Sequence, residues 1–125
     1  MYKITITEEQ AQMFLRALDV YSRIGVGQFE RIFEMFLGDP RRQKDVSDCK
    51  PLFNCFKRQL LALEPNTSFS ICSPDVPADY RLAFDVLQVI RHHVAWRKKP
   101  EGGFTVNFDK PMGTSDQPLC KIEDA

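Results

Sequence analysis

The residues between Asp79 and Lys99 constrain the fold more than any other stretch of the chain. Ala83, Phe84, Val86, Leu87, Val89, Ile90 and Val94 are apolar around most of a helical circumference, and only Arg81, Asp85, Gln88 and His92 form a polar strip. A surface helix carries one apolar stripe, whereas a helix that is apolar on most sides belongs at the centre of a fold. The pattern predicts a central helix over residues 80–96, with Asp79 as its cap and two prolines ahead of it.

Three other helical patterns precede this one. Thr7-Glu8-Glu9-Gln10 reads as a capping box, in which the Thr7 hydroxyl and the Gln10 amide satisfy orphan backbone donors. The helix it opens runs to about Ile24, with Phe14, Ala17, Leu18 and Tyr21 along one stripe. Gly25-Val26-Gly27 follows, a costly pair of glycines for a helix, whose use is a bend or a close backbone approach. Phe29, Ile32, Phe33, Phe36 and Leu37 then keep helical spacing until Gly38-Asp39-Pro40 closes the segment. After a polar loop over residues 39–48, Ser47 or Asp48 is expected to cap a third helix, with Pro51 in its first turn. Its expected buried stripe is Leu52, Phe53, Phe56, Leu60 and Leu63.

Alternation of period two marks the two ends of the chain. Tyr2, Ile4 and Ile6 alternate with Lys3 and Thr5, and Phe104, Val106 and Phe108 alternate with Thr105, Asn107 and Asp109. Short strands are also expected at residues 69–72 and 119–122, with residues 110–117 as a flexible exposed loop. The resulting expectation is a single α+β domain over residues 1–125. Four helical segments pack on a small antiparallel sheet formed by the N-terminal strand and the C-terminal strands.

Composition narrows the function classes. Seventeen acidic residues balance seventeen basic ones, which argues against broad nucleic-acid binding driven by excess positive charge. The N-terminus has no basic region followed by an apolar run, and no stretch approaches the roughly 20 apolar residues of a membrane helix. The expected compartment is a reducing cytoplasm. The four cysteines, at 49, 55, 72 and 120, contain no C-x-x-C pair and are read as free thiols, mostly buried as packing.

Motifs that carry chemistry are few. Gly25-Val26-Gly27 lacks a third glycine and follows a helix instead of a strand, so the context of a phosphate-binding loop is missing. Adjacent residues on a helix point about 100° apart, so His92 and His93 do not converge on one metal. No catalytic residue, metal or cofactor is assigned. The densest basic cluster is Arg91-His92-His93-Val94-Ala95-Trp96-Arg97-Lys98-Lys99. Cations there complement a helix C-terminus, which is the structural reading. Guanidinium groups beside an indole also suit phosphates, carboxylates or planar rings. Arg91, His92, Trp96 and Arg97, together with Lys110 on the following loop, are the candidate partner- or ligand-binding residues.

Two stretches, Tyr21-Ser22-Arg23-Ile24-Gly25-Val26-Gly27-Gln28-Phe29-Glu30 and Pro100-Glu101-Gly102-Gly103 through Val106-Asn107-Phe108-Asp109-Lys110-Pro111, resemble a family of small proteins of uncharacterised function carried by tailed bacteriophages and prophages. These two stretches, 22 of the 125 residues, bring no catalytic motif. The resemblance implies a non-catalytic accessory protein in the host cytoplasm, binding a host component, a protein first of all, in host takeover or counter-defence. A small nucleotide-binding or sponge protein is the alternative, with Arg91 and Arg97 gripping phosphates and Trp96 stacking a base. An enzyme pairing His92 or His93 with Cys72 or Cys120 is the second alternative. Direct DNA binding is weaker, because Gln28–Leu37 has few basic residues. The Phe-rich helices leave a dimer interface open.

Overall fold

The capping box at Thr7 forms as its sequence demands. The backbone N–H of Gln10 donates to Thr7 Oγ1 at 3.1 Å, and the Thr7 N–H donates to Gln10 Oε1 at 2.8 Å. Helix α1 follows over Glu8–Gly25. In this computed structural model, which describes all of residues 1–125, the chain continues as α2 (Glu30–Glu34), α3 (Val46–Leu61) and α4 (Ala78–Lys98). A single 3₁₀ turn, Val106–Phe108, completes the regular structure.

The central helix is where its pattern placed it, extended by two residues at each end. Ala83, Leu87, Val89 and Ile90 are buried, and α4 lies antiparallel to α1. Lys98 pairs with Glu8 at 3.3 Å at one end of this helix pair, and Tyr21 meets Tyr80 at a centroid distance of 4.9 Å at the other. Gly25 explains how close the helices come. A Cβ at that position would stand 2.1 Å from Cγ of Tyr80, so the glycine serves packing. Gly27 takes φ +94° in the turn that follows, and the remaining core comes from Ala11, Val26, Phe29, Phe33 and Val76.

No strand forms, so the expected α+β architecture on an antiparallel sheet is replaced by an all-helical one. Residues 2–6 have the alternation but no partner, and Tyr2 and Ile4 stand in solvent. Residues 69–72 form a turn, tied back by the Phe69 N–H to the Val26 carbonyl at 2.9 Å. Residues 119–122 lie along α4 without pairing. At 104–109 the chain curls into the 3₁₀ turn, leaving Phe104 fully exposed and Phe108 against the Trp96 ring.

The physical reason lies in the polar strip of α4. Backbone donors and acceptors must find partners, and a strand is only one way to supply them. Arg81, Asp85, Gln88, His92 and Trp96 recur at i, i+4, i+7, i+11 and i+15, which lines them along one side of the helix. Each engages the returning chain. Arg81 donates to the Thr114 carbonyl at 3.1 Å. Gln88 donates to the Met112 carbonyl at 2.8 Å and accepts from its N–H at 3.2 Å. His92 Nδ1 lies 3.2 Å from the Asn107 carbonyl, and the Trp96 indole N–H donates to the Phe108 carbonyl at 3.3 Å.

Asp85 holds the strongest point of this rail. It is 2% exposed and accepts from the N–H and hydroxyl of Thr114 at 2.8 and 2.6 Å, and from those of Ser115 at 2.9 and 2.7 Å. Burial by itself raises its pKa, but these donors more than offset that, and the carboxyl titrates below its ordinary range. The expected flexible loop at 110–117 is therefore pinned from Met112 to Ser115.

Helix α3 departs most from its pattern. Asp45 precedes it, so it starts earlier than a Ser47 or Asp48 cap allows and carries Pro51 inside it. Its stripe is not a buried one: Leu52, Phe56 and Leu60 are 62%, 57% and 69% exposed. The inward residue is Lys57, only 2% exposed, with Glu30 of α2 at 3.8 Å. Among the helices α3 touches α2 alone. The cysteines also differ from expectation: all four are free, but Cys49 is half-buried and Cys55, Cys72 and Cys120 are exposed. No helix is long and apolar enough to cross a membrane.

Candidate functional site

Once the rail has returned the chain to α4, its last residues run along the C-terminal half of that helix. Between them lies a groove of about 620 Å³. Its apolar lining includes Val89, Leu119, Ile122 and the Trp96 ring, and its polar lining includes His92, His93 and Arg97. The tail contributes Lys121, Glu123 and Asp124.

Asp124 makes the principal polar contact across the groove. Its Oδ1 accepts from Arg97 and lies 3.1 Å from Nε2 of His93. The hydrogen bond from His93, with Arg97 beside it, holds the Asp124 carboxyl below its ordinary range. The pair is solvated, so the tail is seated lightly at this point. Lys3 reaches the neighbouring Glu123 at 3.4 Å, which brings the two chain ends together without a sheet.

The five candidate residues separate into three groups. His92, Trp96 and Arg97 line the groove together. Two of them are already engaged by backbone carbonyls, and the third by Asp124. Trp96 is further fixed edge-on to Phe108 at 5.5 Å and against the backbone at Gly102, where an added Cβ would come within 3.0 Å of the ring. Arg91 lies outside the groove, with its guanidinium 5.8 Å from the centroid of the Phe84 ring. Burial lowers its pKa, and it makes no ion pair within 4 Å. Lys110 is exposed and also lies outside the groove.

Ile122, Glu123 and Asp124 belong to the site but were not among the sequence candidates, and His93, which also lines it, was considered only for the enzyme alternative. A signal existed: an acidic pair close behind an apolar residue complements the basic run at 91–99. Cys120 does line the groove with both histidines. Its thiol is pushed up by desolvation, the reverse of what a thiolate nucleophile requires, even though the residue as a whole is exposed. No three His, Cys, Asp or Glu side chains converge in a metal-binding group. The chain matches no family model, and neither a curated protein nor a solved structure matches it.

Proposed function

We propose that this chain is a non-catalytic binding module whose α4 groove docks an acidic segment of a partner protein. The observation that carries the reading is the double engagement of Asp124 by His93 and Arg97 beside the apolar surface of Val89 and Ile122. The tail supplies a worked example of the recognised chemistry: an apolar side chain followed two residues later by a carboxylate. A partner segment with that spacing competes with the tail for the same contacts. The resemblance to phage and prophage proteins makes a host-side protein the partner of choice.

The 125-residue chain tests the reading through its single tryptophan, Trp96. The probe is a synthetic peptide of residues 119–125, Leu-Cys-Lys-Ile-Glu-Asp-Ala. Asp124→Ala loosens the tail's own hold on the groove, so this variant should bind the peptide more tightly than wild type, by up to about fivefold, as loss of a lightly held intramolecular competitor implies. Arg97→Ala in the same background should remove the fluorescence response. A thermal shift with mono-, di- or cyclic nucleotides, or equal peptide affinity in wild type and Asp124→Ala, would overturn the proposal.

A further inference from the structure

The returning chain meets α4 in two different ways. From Met112 to Ser115 it is held by its backbone. Gln88 engages the N–H and carbonyl of Met112, Arg81 the Thr114 carbonyl, and Asp85 the N–H groups of Thr114 and Ser115. Beyond Gln117 the mode changes. The backbone of residues 118–125 makes no hydrogen bond to the rest of the chain, and neither helix nor strand forms there. The polar ties of this segment come from side chains, Asp124 to His93 and Arg97, and Glu123 to Lys3.

The polar groups of α4 that line the groove point elsewhere than at the tail's backbone. His92 Nδ1 and the Trp96 indole N–H face the Asn107 and Phe108 carbonyls, while His93 Nε2 and Arg97 face the Asp124 carboxylate. Pro118 opens the segment, has no N–H to donate, and holds Gln117 out of the helical region. Ile122, half-buried in the groove, precedes Asp124 by two residues. Residues so spaced share a face of an extended chain, whereas on a helix they point about 200° apart. A helical segment with Ile122 seated would turn its carboxylate away from His93 and Arg97.

We infer that the groove recognises its partner through side-chain contacts without backbone hydrogen bonds, so that the partner is an extended acidic stretch lacking secondary structure, with an apolar residue two positions ahead of a carboxylate. This rests on the docking role proposed above and narrows the class of partner. An added strand gains its affinity from main-chain hydrogen bonds, and a docked helix presents anchors at i, i+3, i+4 and i+7. The groove gives the first no backbone partner and the second the wrong spacing. A disordered stretch fits, because its backbone stays hydrated while two side chains are held.

Peptides titrated against the Asp124→Ala chain test this, with binding read by the anisotropy of an N-terminal fluorophore. The parent peptide is Leu-Cys-Lys-Ile-Glu-Asp-Ala, residues 119–125. Replacing the amide N–H of Ile122 or of Asp124 by an ester oxygen removes a donor and leaves every side chain in place. Each ester should bind within about twofold of the parent, whereas loss of a real backbone hydrogen bond would weaken binding by up to roughly tenfold. A Glu123→Pro peptide lacks that N–H and disfavours a helical Ile122, and it should match a Glu123→Ala peptide within about twofold. An Asp124→Asn peptide should bind about two- to fivefold more weakly than the parent, the scale of a solvated ion pair. A larger loss with either ester or with the proline peptide overturns the inference and leaves the docking role standing, as does an Asp124→Asn peptide as tight as the parent. A parent peptide that does not bind overturns the docking role and this inference together.

Discussion

Replacing Asp85 by Asn tests whether side chains of α4 have taken over the role of a sheet. The substitution keeps shape and volume, so packing is not disturbed. Asp85 now accepts four hydrogen bonds, two from backbone N–H groups and two from hydroxyls. Asn offers one oxygen and one NH₂. The hydroxyls can rotate to accept from the NH₂, but a backbone N–H facing it meets another donor. Leaving one buried N–H unsatisfied costs about 1–3 kcal/mol, and loss of the charge from the remaining bonds adds about 1 kcal/mol. At 2% exposure Asp85 is little screened by solvent. For 125 residues the unfolding entropy near 60 °C is about 0.26 kcal/mol per kelvin, so the melting temperature should fall by roughly 8–15 °C.

Circular dichroism melts at neutral pH measure that fall, and amide exchange at Thr114 and Ser115 shows where it originates. The pH dependence follows from the depressed pKa of Asp85. A carboxyl that titrates lower in the folded state contributes its full stabilisation above its unfolded pKa, near 4. That contribution is lost as pH falls through the folded value. Wild type and Asp85→Asn should therefore converge in strong acid. A variant that melts within about 2 °C of wild type at neutral pH, with Thr114 and Ser115 still protected, would refute the reasoning about the rail.

Gly25→Ala should destabilise by about 1–3 kcal/mol through overpacking against Tyr80, read as a lower melting temperature. Arg91→Ala should cost about 1 kcal/mol because the guanidinium and its stem cover Phe84, while Arg97→Ala should leave the melting temperature nearly unchanged and alter Trp96 fluorescence. On acidification, the tail should leave the groove as pH falls through the depressed pKa of Asp124, seen as a step in Trp96 fluorescence that Asp124→Ala abolishes.

Local chemistry was legible in the residues. The Thr7 and Gln10 capping box and the helical spacing of α1 and α4 follow from rules that act within a few residues. The grouping of His92, Trp96 and Arg97 on one stretch of helix also follows from spacing, but the acidic tail that completes their groove comes from far along the chain. Strand alternation at residues 2–6 and 104–109 was equally visible, yet alternation states only that one face is apolar. Whether a backbone pairs with another backbone or with side chains depends on which partner arrives. Here Arg81, Asp85, Gln88, His92 and Trp96 reached the returning chain, and no sheet formed. Helix α3 teaches the same lesson in reverse. Its period correctly marks an apolar face, but only tertiary structure decides what meets that face, and within one copy nothing does. Periodicity is a property of one segment, whereas burial and pairing belong to contacts between segments distant in sequence.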